Sequence, residues 1–288
     1  LTCVTMNLTL APDAAIDLHM HTTYSDGRWP AQRLVEYLAS EHFDLVAVTD
    51  HDRVDKVAEI QALAAEKHLP VLSGVEMSTT WNGKMGDLLC YGFDPENSEI
   101  SSIIDKFIQV RQENVYKIYE YLIRKKYKFP RQDEVLAKNN GKLLHPLDNA
   151  LLLREHGYAP DWSAAVEIIR QAGYYTTRMD MAEAVEVVHR SGGVCLIAHP
   201  GRREGGFTFY DLALLDQLRA DVPIDGIEIY HPSHSSESVE MYLEYIRKHN
   251  LLGSTGSDSH CIPTRMPIKY RAEISRDLLE RVGIKVQE

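Results

Sequence analysis

The chain has 288 residues, 44% of them hydrophobic, and a formal net charge of −11. That length and apolar share allow a sizeable core, in one large domain or two smaller ones, and exclude a disordered polymer. The acidic balance argues against a protein that coats long nucleic acid, which needs clustered Lys and Arg, but leaves room for a small anionic substrate if metals supply the positive charge.

Leu1 to Ala15 has neither a basic start nor a continuous apolar run, so it reads as a loose lead-in and not as a signal peptide. Short apolar runs then alternate with amphipathic stretches, the signature of βα units around a parallel sheet. Strands are predicted at 14–18, 44–49, 71–75 and 87–91, and helices at 31–41 and 56–67, where Leu34, Val35, Leu38 and Val57, Ile60, Leu63 recur at helical spacing. From Glu99 to Tyr174 the pattern is helical throughout. Ile100, Ile103, Ile104, Phe107 and Ile108, then Val115, Ile118, Tyr119 and Leu122, form one apolar stripe, and Pro130 and Asn139–Gly141 punctuate the chain beyond it. The βα rhythm resumes with helices at 181–190, 210–219 and 237–249 and strands at 194–198, 226–230 and 251–254. A helical insertion in a βα barrel is the expected organisation. Cys3, Cys90, Cys195 and Cys261 are scattered without a CxxC pair, as in a protein of the reducing cytoplasm. No apolar run approaches the ~18 residues of a membrane-spanning helix, so a soluble protein without a membrane partner is expected.

Polar residues capable of chemistry gather at predicted strand ends. Asp17-Leu18-His19-Met20-His21 puts His19 and His21 on one face by the period of two, and Asp26 comes next in an Asp-Gly turn. The second strand ends in Thr49-Asp50-His51-Asp52, where the carboxylates could equally cap the next helix. Glu76 comes just after the third strand, His199 lies in Ala198-His199-Pro200-Gly201-Arg202, and Tyr230-His231-Pro232-Ser233-His234 ends the next strand. Gly256-Ser257-Asp258-Ser259-His260 closes the series. Each segment alone could be a helix cap or a solvated histidine. Strands that each end in His, Asp or Glu would converge on one rim of a parallel barrel, where so many acids repel unless cations join them. Imidazole and carboxylate donors without thiolate suit Mn, Fe or Zn.

Taken together and in this order, these segments resemble the PHP (polymerase and histidinol phosphatase) family of phosphoesterases, in particular its stand-alone bacterial members with an inserted helical subdomain. The resemblance implies an α/β fold: a distorted (β/α)7 barrel over 14–98 and 178–288, with a helical insertion over 99–177. It implies two or three divalent metal ions, with Mn expected and Fe, Zn or Mg also suited. His19, His21, Glu76 and Asp258 would hold the first; Glu76 would bridge to a second that His199 also binds; Asp26, His51 and His260 would hold the third. Where the family usually carries a histidine on the fourth strand, this chain has Asp87.

The implied reaction is hydrolysis of a phosphate monoester by a hydroxide bridging two metals. In similar proteins the substrate is the 3′-phosphate of nucleoside 3′,5′-bisphosphates and, in some, the 5′ end of short oligoribonucleotides. Arg202 matches a position expected to grip phosphate. His234 is a candidate acid for the leaving group, Arg203, Arg265 and Lys269 are further cations, and His145 receives no role. Two alternatives stay open: a phosphatase for histidinol phosphate or another small molecule, and a non-catalytic PHP metal-binding module, for which lost ligands or an attached polymerase would be expected.

Overall fold

The computed structural model describes residues 8–203 and 206–288. Two compact units result, one from the chain up to Ile103 together with Met179–Glu288, the other from Ile104–Arg178. In the first unit lie strands β1 (Thr9–Leu10) and β2 (Ala15–Asp17), helix α1 (Ala31–Ser40), β3 (Leu45–Ala47), α2 (Val57–Ala65), β4 (Val71–Leu72), β5 (Gly74–Trp81) and β6 (Lys84–Tyr91). Helix α3 (Ser98–Arg124) leads into the second unit, which contains α4 (Gln132–Val135), α5 (Pro146–Glu155) and α6 (Trp162–Gln171). The first unit then resumes with β7 (Met179–Asp180), α7 (Met181–Arg190), β8 (Val194–Ile197), α8 (Leu212–Asp221), β9 (Gly226–Tyr230), α9 (Ser236–His249), β10 (Leu252–Thr255), β11 (Tyr270–Arg271), α10 (Arg276–Arg281) and β12 (Lys285–Val286).

Local sequence explains these boundaries. Helix α7 begins at Asp180, whose side chain accepts the Glu183 amide, and buries Met181, Ala184, Val185 and Val188 on one stripe. Its last turn carries His189 and Arg190, which suits the negative end of the helix dipole. Helix α9 starts at Ser235 and stops at Asn250, which takes a left-handed conformation.

The strands form an α/β arrangement of three hydrogen-bonded sheets, ordered β10-β9-β8-β6-β5-β7, β11-β2-β3-β4 and β1-β12. Isolated bridges link the two larger sheets at Met20 with Ser259 and at His51 with Glu76. The expectation of a uniformly parallel sheet needs correction, because β6 runs antiparallel to both β5 and β8. Asn82 and Gly83, both at positive φ, turn β5 back into β6 as a two-residue hairpin. The predicted strand at 71–75 divides at Ser73, with β4 in the four-stranded sheet and β5 in the six-stranded one. A second correction concerns the lead-in: residues 1–7 fall outside the described chain, but Thr9–Leu10 form a strand parallel to β12. Leu278, Leu279, Ile284 and Val286 pack in the same buried cluster as Ile16, Leu45, Leu89 and Leu196, so the carboxyl-terminal segment completes the core.

The second unit has its own core, from Val115, Ile118 and Leu122 of α3 to Leu152 and Leu153 of α5 and Ile169 of α6. His145 has a structural task there: it caps α5 by accepting the Leu147 amide, while Asp148 accepts the His145 amide in return.

Candidate metal centre

Glu76 of β5 is 1% exposed, and both of its carboxylate oxygens are surrounded by imidazoles. Oε2 lies 3.1 Å from His19 Nε2, 3.2 Å from His21 Nε2 and 3.4 Å from His51 Nε2, while Oε1 lies 3.0 Å from His199 Nε2. Asp258, after β10, faces the same space: Oδ1 is 3.1 Å from His21 Nε2 and Oδ2 is 3.2 Å from His231 Nε2. Around these two carboxylates, three donor groups emerge among the described residues, each with its ligand atoms mutually within 4.8 Å: His19, His21, Glu76 and Asp258; Glu76, Asp87 and His199; and His21, His51 and His260. Asp26 stands at the outer edge, with Oδ2 3.0 Å from His260 Nε2 and Oδ1 3.8 Å from His21 Nδ1.

The backbone supports this convergence at a cost. His199 and Asp258 both adopt positive φ, a region that residues with side chains seldom enter, and such strain tends to persist where function holds it. Asp87 comes from the middle of antiparallel β6 and not from a strand end, and is 2% exposed. Within Thr49-Asp50-His51-Asp52 only His51 faces the cluster. Asp50 accepts the Thr22 amide and the Thr22 and Ser25 hydroxyls, pinning the loop that carries Asp26, and Asp52 accepts the Ser78 amide.

Glu228, a carboxylate inside the apolar strand β9, carries no signal of this role in the sequence. Its Oε1 lies 2.9 Å from His19 Nδ1 and its Oε2 accepts the His199 amide at 2.7 Å. Held at Nδ1 by Glu228, His19 presents its Nε2 to Glu76, the support usually found behind a metal-binding imidazole. His231 is a second addition to the expected set; Ser233 Oγ holds its Nδ1 at 2.8 Å.

His234 requires a correction. Its Nδ1 donates to the Ile229 carbonyl and its Nε2 accepts the Gly201 amide, so neither nitrogen is available to protonate a leaving group. Its role is to hold the His199–Arg202 turn against β9. Of the candidate cations, Arg265 pairs with Asp258 and Arg202 lies 4.1 Å from the Phe207 ring, whereas Arg203 lies over Phe209 and Lys269 over Phe43.

The family model described as the PHP domain matches residues 17–252. The chain belongs to the PHP family. A 3′,5′-nucleoside bisphosphate phosphatase of Chromobacterium violaceum is 28% identical over 251 residues, 86% of this chain and 87% of that protein. A 5′-3′ exoribonuclease of Haemophilus influenzae is 25% identical over 248 residues, 85% and 89% of the two chains. The structure of a candidate metal-dependent phosphoesterase from Bifidobacterium adolescentis superposes with a TM-score of 0.73 at 25% identity, covering 96% of this chain and 97% of that one.

The donor set of this PHP centre fits divalent metals. His21 Nδ1 and His51 Nδ1 are buried without a hydrogen-bond partner, and the remaining donors are the hard and borderline ligands that such ions prefer. In the metal-free protein protons must balance the acids. Burial alone would pull His19 down, yet Glu76 and Glu228 raise it to about 10. Burial would likewise raise Glu228, but His19 and His231 hold it at about 2. Because His19 is raised from 6.5, it contributes stability to the metal-free fold that is complete below that value and is lost as pH rises through about 10.

Metal ions compete with that proton. Metal binding is expected to release protons, and apparent affinity to climb as pH rises toward about 10. Titration calorimetry in buffers of different ionisation enthalpy measures the released protons, and pH-independent binding would sink the expectation. Asp87→Asn, which keeps shape but removes the charge, is expected to weaken one ion by about 10–100-fold, measured as metal content after dialysis.

Proposed function

We propose that this PHP protein is a metal-dependent phosphoesterase that hydrolyses a phosphate monoester. The substrate class we assign is nucleotide: the 3′-phosphate of nucleoside 3′,5′-bisphosphates, and the 5′ ends of short oligoribonucleotides. The observation that carries the reading is Glu76, which belongs to two of the three donor groups and lies beside His51 of the third. On this reading His19, His21, Glu76 and Asp258 hold one ion, Glu76, Asp87 and His199 a second, and Asp26, His51 and His260 a third, with Mn favoured. Divalent ions bound there supply Lewis acidity and positive charge for phosphoryl transfer.

The rest is done by the chain. Glu228 orients His19 and braces the His199 amide, and His234 fixes the turn that presents Arg202. Arg202 and Arg265 lie close enough to repel: after burial, Arg202 is the main influence holding the Arg265 guanidinium below its ordinary range. Arg265, paired with Asp258 of the carboxylate cluster, and Arg202 are the guanidinium groups suited to a phosphate dianion, which each can grip with paired N–H donors. The two isolated bridges between the larger sheets support reading the fold as a distorted (β/α)7 barrel. Cys90, Cys195 and Cys261 are unpaired thiols, in keeping with a cytoplasmic protein, and no described helix is long and apolar enough to cross a membrane.

The test is phosphate release from adenosine 3′,5′-bisphosphate by Mn-loaded protein, with histidinol phosphate and p-nitrophenyl phosphate in parallel. Preference for the bisphosphate by about tenfold, a difference of about 1.4 kcal/mol in transition-state stabilisation, supports the nucleotide reading. Preference for histidinol phosphate replaces it with the amine substrate, and no release from any of them in metal-replete protein sinks the phosphatase reading.

A further inference from the structure

The second unit contains a feature that the net charge of the chain conceals. Between Ile123 and Arg131 the sequence runs Ile-Arg-Lys-Lys-Tyr-Lys-Phe-Pro-Arg, five cations and no carboxylate in a protein of net charge −11. Arg124 pairs with Glu120 and Arg131 with Glu134. Lys125, Lys126 and Lys128 are exposed and, among the described residues, have no ion-pair partner.

This segment is built, not loose. Helix α3 ends as Lys126 takes a φ of 68°, a conformation costly for a residue with a side chain, and the Tyr127 amide returns to the Leu122 carbonyl. The Tyr158 hydroxyl then holds Lys128 at both its amide and its carbonyl, each at 3.1 Å, and the Arg131 amide donates to His156 Nε2. The result is an open groove of about 610 Å³ lined by Ile123, Lys126, Tyr127, Lys128, Phe129 and Pro130. Its floor is apolar: Ile123 is 45% exposed, and Tyr127 packs edge-on against Tyr158, itself 41% exposed, with ring centroids 4.9 Å apart.

Cations interleaved with aromatic and apolar surface on a fixed backbone match the two demands of a single strand, charge neutralisation along the phosphates and a flat face for a base. We propose that the Ile123–Arg131 segment and Tyr158 form a docking surface for a single-stranded oligonucleotide, with phosphates against Lys125, Lys126 and Lys128 and a base in the groove. No group there reads a base edge, so the surface is tolerant of sequence. An acidic peptide would use the charge but not the stacking face. The proposal rests on the nucleotide reading of the metal centre only for why such a strand would be bound, and its test does not require turnover.

The experiment records fluorescence anisotropy of a labelled 2′-O-methyl phosphorothioate strand of about ten nucleotides, within the span of one such surface, on metal-loaded protein at low salt. The variant carries Lys125→Gln, Lys126→Asn and Lys128→Gln; asparagine tolerates the left-handed φ at position 126, so the backbone is retained. Affinity is expected to fall about tenfold or more, and the slope of log affinity against log salt to become shallower by about 2, since each lost contact to a single strand removes about 0.7. The companion variant with arginine at all three positions is expected to keep both. Equal binding by wild type and the neutral variant overturns the proposal, as does displacement of the strand by polyglutamate at matched charge. Phosphate release from adenosine 3′,5′-bisphosphate is measured on the same wild-type preparation: strand binding without release keeps this surface and removes the nucleotidase reading, and release without strand binding does the reverse.

Discussion

Glu76→Gln is expected to reduce phosphate release about 10³-fold, because the interaction it removes is worth several kcal/mol and each 1.36 kcal/mol is tenfold in rate. Glutamine keeps the volume of a side chain that is 1% exposed, so the fold should persist. The loss is the negative charge facing His19, His21, His51 and His199 at 3.0–3.4 Å. Without it two of the donor groups lose their shared oxygens, and bound metal should fall together with activity. Elemental analysis of the dialysed variant alongside the phosphate-release assay checks both. Full metal content with lost activity would assign Glu76 to the reaction alone, and unchanged activity would remove it from the centre.

Gly256→Ala is expected to be nearly as damaging, although residue 256 carries no chemistry. A methyl group there would overlap the Cβ of His19 and stand 2.9 Å from Glu228 Oε1, so it would strike an imidazole and the carboxylate that orients it together. Neither can yield, because both are fully buried. A shift of about 1 Å in such a constellation costs roughly 10²-fold in rate. Activity should drop by that order while the melting temperature of the metal-free protein also falls, since the His19–Glu228 contact supports the fold as well as the site. An active, unshifted Gly256→Ala protein would show that His19 has more latitude than its packing indicates.

Much of this molecule is legible in sequence where one period dominates a segment. The spans of α7 and β9 coincide with the predicted 181–190 and 226–230, because their apolar residues repeat at the period of their element and their flanks carry caps or turns. The paired imidazoles of His19 and His21 are visible through the rule of alternation. The antiparallel course of β6 escapes a reading based on apolar runs, and its signal is instead Asn82-Gly83, a strong short-range hairpin pair. Glu228 escapes because a single acid within Gly-Ile-Glu-Ile-Tyr looks like the outward residue of an alternating strand, and only packing shows that it faces inward. His234 illustrates the opposite error: a histidine beside a cluster attracts a chemical role, while backbone partners at both nitrogens give it a mechanical one. The net charge likewise describes an average and says nothing of a short stretch such as Ile123–Arg131.

The pairing of β1 with β12 and the contact between His21 and Asp258, 237 positions apart, bear on how the protein is made. During translation the amino-terminal histidines leave the ribosome long before the segment that carries Asp258 and His260. A nascent chain can close the short-range contacts of its second unit early, but the donor groups that use Asp258 and His260 have to wait until those residues have emerged. A chain stopped before Asp258 would still carry the Glu76, Asp87 and His199 group, but it would lack the carboxylate that completes the first group and the imidazole that completes the third.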